Sequence, residues 1–291
     1  MYRTSDIARK TGIHPNTVRF YERLGLISPV ARSTNGYRVF DDRHLVQVKV
    51  LRCIYLDEWP GEAIRKASLK IVEALKVWDL ETARRHAQSY QATIAAEAEK
   101  ALLAIEILSQ WAANSELISE TDWVPNGALT SPSTFTSRRT TGETLLESFY
   151  PLKMLNSEEL PASKDIPNPS DVLNRREAAA LIGVTPEALR NWERNDLIQV
   201  PRQGRHQTRF YRPREIQRLQ VIYLLRQARF SMSAIHRCFT LLDAGHPEEA
   251  LNALKHPHAE ALWTGDRWLA VLEMFAAKAD EIDDLLRSIG C

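Results

Sequence analysis

His14, Asn16, Thr17 and Arg19 crowd into six residues, "HPNTVR". Short polar side chains beside a cation suit one kind of chemistry. They donate and accept hydrogen bonds at the edges of bases and at phosphate oxygens, and no covalent bond is made or broken. Phe20 and Tyr21 follow with aromatic surface, and "RSTNGYR" brings Arg32, Asn35, Tyr37 and Arg38. Arg43 stands just after two aspartates at the start of an apolar run. A second set lies far down the chain: Thr185, Glu187, Arg190, Asn191 and Trp192, then Arg202, Arg205, His206 and Arg209, followed by Arg212 and Arg214. The formal net charge is only +1. That near-neutral total hides a dense basic strip, the local footprint of a polyanion partner. No phosphate loop, nucleophile motif or paired-carboxylate constellation stands out, so no enzyme is expected.

The two sets are copies. Gly12 and Gly183 stand 171 residues apart, and the same spacing aligns Ala8 with Ala179, Pro15 with Pro186 and Arg19 with Arg190. It also aligns Glu22 with Glu193, Leu26 with Leu197, Arg38 with Arg209, Val50 with Val221 and Ile64 with Ile235. Unmatched positions keep their chemistry, as in Tyr21/Trp192 and Phe40/Tyr211. A register that survives two turns marks residues 3–66 and 174–237 as one small module written twice.

The module's elements position those side chains. Thr4 or Ser5 is the expected cap of a first helix that stops at Gly12. Pro15 suits the first turn of a second helix, "PNTVRFYERLG", ending near Gly25. Helix, tight turn, helix is the shape that lays a second helix in the DNA major groove. "LISPVARSTNGYRVF", with its Pro and Asn-Gly, predicts a two-stranded hairpin. "DDRHLVQVKVLRCIYL" predicts an amphipathic helix with an acidic start. Val18/Leu189, Tyr21/Trp192 and Leu26/Leu197 are expected to pack inward. The recurring Glu22 and Glu193 suit an internal ion pair, with Arg23 and Arg194, as well as they suit a reader of DNA.

"TVRFYERLGLI", the wing "NGYRVF", the "DDRHL" helix start and "GEAIRK" resemble the winged helix-turn-helix of the MerR family of bacterial transcription regulators. Each copy spans about 64 residues of that pattern; the first follows it closely. The second departs at Asn191 for Phe20, Asn195-Asp196 for Leu24-Gly25 and Gln207-Thr208 for Gly36-Tyr37. The resemblance implies that Arg19, Phe20 and Tyr21 touch DNA, that the chain acts at promoters with RNA polymerase, and that a signal is sensed. It also implies pairing through an antiparallel coiled coil.

Two seams fit such pairing. Ile94, Ala98, Ala101, Ile105, Leu108 and Ala112 step in fours and threes, as do Trp268, Leu272, Phe275, Ala279, Ile282, Leu286 and Ile289. Each is about three heptads long, too short to stand alone. The expected fold is mainly α: two winged helix-turn-helix domains, each followed by a long helix, the long helices pairing as an antiparallel coiled coil. Its parts are a first module at 1–80, a long helix at 81–114, a Ser/Thr/Pro-rich linker at 115–172 with a short helix in "ETLLESFYPLKML", a second module at 173–245, and C-terminal helices at 246–291 with the coiled-coil helix at 266–289. The favoured arrangement is a monomeric pseudo-dimer in which Ala98, Ala101 and Ala112 face Trp268 and Phe275. The rival is a homodimer with like helices paired.

Cys53, Cys238 and Cys291 form no CxxC pair and read as buried apolar residues or tail. His246, His256 and His258 lack further ligands, so neither metal nor cofactor is expected. Trp59, Trp78, Trp111, Trp123, Trp263 and Trp268 are candidates to line a site for an organic effector. No apolar run reaches about 18 residues, and the N-terminus lacks the apolar core of a signal peptide. The expectation is a cytoplasmic, nucleoid-associated protein whose partner is double-stranded DNA. The alternatives are a DNA-bending factor of the excisionase kind and a small-molecule sensor with reduced DNA binding.

Overall fold

The computed structural model describes residues 1–56, 58–115, 172–203, 208–256 and 264–289. Residues 116–171, with the helix expected in "ETLLESFYPLKML" and with Trp123, lie outside the described residues, as do Arg205, His206, His258, Trp263 and Cys291. The chain divides into two compact units, residues 1–109 with 220–291, and residues 110–219.

The first module opens with α1 (Thr4–Thr11) and α2 (Pro15–Arg23). α1 starts one residue earlier than a Thr4 or Ser5 cap allows. Asp6 turns back to accept the Arg3 backbone N–H at 2.9 Å, so Arg3 holds the cap position. Gly12 ends the helix with φ 68°, a left-handed conformation that glycine adopts at little cost. The wing is a hairpin of β1 (Ala31–Arg32) and β2 (Arg38–Val39), pairing Ala31 with Val39 and Arg32 with Arg38. Tyr2 adds a bridge to Phe40. α3 (Asp42–Ile54) is capped by Asp41, whose Oδ1 accepts the His44 N–H at 3.1 Å. α4 (Glu62–Lys76) follows. Ile7, Val18, Phe40, Val48, Leu51, Ile64 and Ile71 are buried and form the core. The buried Gln47 ties the parts together. It donates to Leu75 O at 2.7 Å and accepts the Ser28 N–H at 3.0 Å, so the turn after α2 is tied to the end of α4.

The same register recurs at 171 residues. In the unit of residues 110–219, α6 (Arg175–Ile182) is capped by Asn174, which accepts the Arg176 and Glu177 N–H groups while Glu177 accepts that of Asn174. This is a reciprocal capping box. α7 (Pro186–Arg194) carries buried Leu189 and Trp192. β3 (Arg202–Gln203) pairs with β4 (Thr208–Arg209), and Leu173 bridges Tyr211. Asp196, standing where the first copy has Gly25, keeps φ at 52°. Aspartate tolerates that region better than most residues, so the turn survives the loss of glycine. α8 is Pro213–Gln227.

Among the described residues, four helices close the unit of residues 1–109 and 220–291. α5 runs Leu80–Ser115, α9 is Met232–Asp243 and α10 is Pro247–Lys255; a 3₁₀ turn at Thr264–Asp266 leads into α11, Trp268–Ser288. α11 packs on α3 and lies antiparallel beside α5. Arg84, near the start of α5, donates to the carbonyls of Leu286 and Ile289 at the end of α11. Gln91 bonds Asp280 at 2.9 Å. Trp268, Leu272, Phe275, Ala279, Ile282 and Leu286 are all buried. On α5, Ile94, Ala101, Ile105, Leu108 and Ala112 are buried, but Ala98 is only half-buried. Glu97 takes its place in the stripe because Arg229 supplies a partner for the carboxylate, Nε to Oε2 at 3.1 Å. The buried stripe Glu97, Ala101, Ala104, Leu108, Trp111 then matches Trp268, Leu272, Phe275, Ala279, Ile282 at the same spacing of 171. The repeat extends through the long helices.

Small residues do not fill the middle of this pairing. A cavity of about 410 Å³ lies between α5 and α11, walled by Ile94, Ala95, Ala98, Leu102, Leu269, Leu272 and Ala276, with Gln91, Glu273 and Asp280 at its edge. Of the tryptophans considered for a ligand site, the described ones, Trp59, Trp78, Trp111 and Trp268, do not border it. Trp59 is exposed, Trp78 meets the Arg43 guanidinium at 5.4 Å, and Trp111 and Trp268 are buried. Cys53 sits under α11 beside Glu281. Burial, with the nearby Glu281 charge second, pushes its thiol from an ordinary 9.0 up to about 11. The raised value means that the fold gains from the neutral thiol fully below pH 9 and loses that contribution as pH rises through 11. Site-resolved alkylation at pH 8 should therefore leave Cys53 unmodified until the chain unfolds; rapid labelling of the folded protein would contradict the packing of α11 on α3.

Candidate DNA interface

α2 is built to show its N-terminal turn. His14 caps it, Nδ1 accepting the Asn16 N–H at 3.1 Å, and Pro15 occupies the first helical position, where a missing N–H costs nothing. Val18 and Tyr21 face the core, which leaves His14, Asn16, Arg19 and Phe20 exposed on the other side, with Thr17 half-buried. Arg19 donates to Asn16 Oδ1 at 2.6 Å, so guanidinium and amide are held side by side. Tyr21 is 6% exposed and Trp192 likewise 6%. Their rings support the helix from beneath. In the second copy Thr185 caps α7 through Ala188 N–H at 3.2 Å, and Glu187, Arg190, Asn191 and Arg194 are exposed. Arg190 and Arg194 both reach Glu187, at 3.3 and 3.8 Å.

The recurring glutamate is an anchor between helix and wing. Glu22 pairs with Arg38 of β2 and, at 3.9 Å, with Arg32 of β1. Glu193 pairs with Arg209 of β4 at 2.6 Å and Arg175 of α6 at 3.0 Å, and accepts the Tyr211 hydroxyl at 2.5 Å. Burial, then that bond, push the Tyr211 phenol up to about 12. The adjacent Arg23, weighed as the ion partner of Glu22, instead covers the Phe20 ring at 5.6 Å. A side chain next in sequence on a helix points about 100° away, so the partner had to come from another element. Arg194, weighed as the ion partner of Glu193, reaches Glu187 instead, and Arg175 was not picked out from the sequence. Arg175 could have been, because the first copy has only Thr4 at that position.

On the first wing Asn35 is exposed, Tyr37 is 75% exposed, and Arg32 donates to Gly36 O at 3.2 Å. Gly36, with φ 76°, makes the hairpin's tight return. Arg43 is exposed at the start of α3. In the second copy Arg202 and Arg214 are exposed, while Arg205 and His206 fall outside the described residues. Arg175, Arg190, Glu193, Arg194 and Arg209 line a surface cavity of about 350 Å³, four guanidiniums around one carboxylate. Such a cluster can seat phosphate oxygens between helix and wing. Among the described residues no group of three or more His, Cys, Asp or Glu side chains is arranged to hold a metal ion, and no helix is long and apolar enough to cross a membrane.

Comparison with known families agrees with this geometry. Residues 3–40 match the MerR family regulatory protein family, and residues 174–241 match the MerR HTH family regulatory protein family. Both modules are of the MerR family. Among relatives, the chain is 48% identical over 48 residues to the HTH-type transcriptional regulator CueR of Salmonella typhi, covering 16% of this chain and 35% of that protein. It is 34% identical over 89 residues to CueR of Yersinia pestis, covering 26% of this chain and 64% of the relative. The HTH-type transcriptional regulator AdhR of Bacillus subtilis is 34% identical over 50 residues, 17% of this chain and 36% of AdhR. The chain thus spans about a third of the length of the first of these relatives. No solved structure matches the chain.

The two MerR modules differ in how firmly the glutamate is held, three partners for Glu193 against two for Glu22. Glu193→Gln should cost about 1–3 kcal/mol, because it removes the charge and one acceptor from half-buried Arg175 and Arg209 and the buried Tyr211. Glu22→Gln should cost less. Hydrogen exchange at the Arg209 and Arg38 amides checks the order; equal protection losses in the two wings would refute it.

Proposed function

We propose that the chain is a MerR-type transcriptional regulator that works as a single-chain pseudo-dimer, reading an operator with two different half-sites. One observation carries the reading. On a shared scaffold, the exposed positions of the two recognition helices hold different side chains: His14 against Thr185, Asn16 against Glu187, Phe20 against Asn191. Arg19 and Arg190 are common to both and suit the phosphate backbone, while the differing positions suit base edges. Glu187 stands where the first copy has Asn16 and accepts from cytosine rather than guanine, so the second half-site should favour a C where the first does not. The long helix of the first half lies antiparallel to that of the second within one chain, which supports one chain doing the work of two.

The partners in this reading are double-stranded DNA and, at promoters, RNA polymerase. The regulator bends and untwists the spacer, a deformation that costs several kcal/mol and is offset by phosphate contacts. An organic effector belongs to the same reading, and the cavity between α5 and α11 has a volume in the range of small-molecule sites.

Selection of bound sequences from random DNA should return a non-palindromic site, and Asn191→Phe should shift preference in the second half-site alone. A perfect palindrome would sink the reading of two specificities. In light scattering without DNA, the protein should have the mass of one chain, 33.2 kDa; a stable species of twice that mass would replace the pseudo-dimer with a homodimer.

A further inference from the structure

Glu58 and Arg229 are the same position in the two modules, 171 residues apart, and they carry opposite charge. Each stands in the loop after the module's third helix, α3 or α8. Glu58 is held by Arg267 and Thr264 at the approach to α11. Arg229 is held by Glu97 in the middle of α5. The partner positions on the long helices are neighbours in the repeat: Glu97 corresponds to Trp268, and Arg267, one residue before it, corresponds to Ala96. Each half therefore lays its loop on the long helix of the other half, and the charge inverts at both ends. The first half carries two acids, Glu58 and Glu97; the second carries two bases, Arg229 and Arg267.

The carboxylates are well covered, Glu97 being 9% exposed and Glu58 14%. The fit around Arg229 is specific to the first half. A Cβ at Gly61, beside Glu58, would come within 2.8 Å of the Arg229 guanidinium, so a glycine there is what lets that side chain in. Arg229 itself keeps φ at 68°, a left-handed conformation uncommon outside glycine, asparagine and aspartate. It also lies 6.0 Å from the Trp268 ring.

We propose that Glu58, Glu97, Arg229 and Arg267 are a pairing code that makes each half accept the other half and reject its like in a second copy. The proposal rests on the single-chain pseudo-dimer reading. Unlike halves make two ion pairs. Two first halves would set Glu58 against Glu97 twice, and two second halves would set Arg229 against Arg267 twice. Glu97 keeps Lys100 of its own helix at 3.0 Å, so the loss of a cation weighs most on Glu58, and like charges facing across an interface suppress the wrong partner. Tandem copies that descend from a self-pairing module need such a discriminator, because their apolar seams share one register.

The test exchanges the loop charges in the full chain. E58R/R229E turns both unlike contacts into clashes and both like contacts into ion pairs. Light scattering should then find two chains or more per particle where the wild type has one, and the thermal midpoint of any remaining single-chain species should fall. The fourfold variant E58R/R229E/E97R/R267E restores complementarity and should return to one chain per particle with a midpoint near wild type. If E58R/R229E stays single-chain with an unchanged midpoint, the code is refuted and the pseudo-dimer stands. If E58R/R229E fails to fold, the fourfold variant decides: recovery supports the code, and failure to recover refutes it. A wild type that is itself two chains refutes the underlying reading instead.

Discussion

A helix of 21 residues that buries Trp268, Leu269, Val271, Leu272, Phe275, Ala279, Ile282 and Leu286 cannot stand in water. Those side chains cover more than one face, so a single neighbour does not suffice. α11 meets α3 of the first module on one side and α5 on another. Fully burying one large apolar side chain contributes roughly 1.5–3 kcal/mol, so this contact binds the C-terminal region to the first module more firmly than the surface ion pairs do. Arg84 completes it by taking the last carbonyls of α11, groups that a helix end leaves without partners. The rest of the unit, including the placement of Glu58 and Arg229, follows from where that helix lies.

A recognition helix of nine residues is too short to persist alone. Each copy solves this in the same way, with two apolar anchors below and one glutamate reaching sideways into the wing. The arrangement has an electrostatic consequence. Arg38 and Arg209 look on paper like cations free for phosphate, but each is already neutralised by its glutamate. In the proposed function the grip on a polyanion therefore falls to arginines outside the anchor, such as the exposed Arg19 on α2. The wing's firm attachment and its reserve of charge are therefore in competition.

Much of this was legible because the chain contains its own comparison. A constant spacing of 171 identifies module boundaries, turns and core positions without any relative, since two copies under the same packing constraints keep the same residues. Gly12, Pro15, Val18/Leu189 and Tyr21/Trp192 lie where their physical roles put them, while Leu26 is only half-buried where Leu197 is buried. Legibility failed where a polar group found an unforeseen partner. Periodicity discounts charged residues, so it gave the seam to Ala98 and passed over Glu97, whose burial depends on an arginine 132 residues away. It likewise suggested Arg23 for Glu22, because sequence adjacency is visible and a hairpin folding back is not. Charge pairing over long separations is set by tertiary geometry, and no local pattern encodes it.

One asymmetry has mechanical meaning. Over the same length of chain, the first half has the unbroken α5 of 36 residues, while the second has α10, a 3₁₀ turn and α11 as separate pieces. Pro257 stands where the first half has His86 within α5, a substitution with no net change in length, and proline does not suit a helix interior. A continuous helix of that size is a stiff rod of about 54 Å. The described pieces of the second half, helices of nine and 21 residues, are each shorter than that rod. The molecule has inherited symmetry in length and given it up in stiffness.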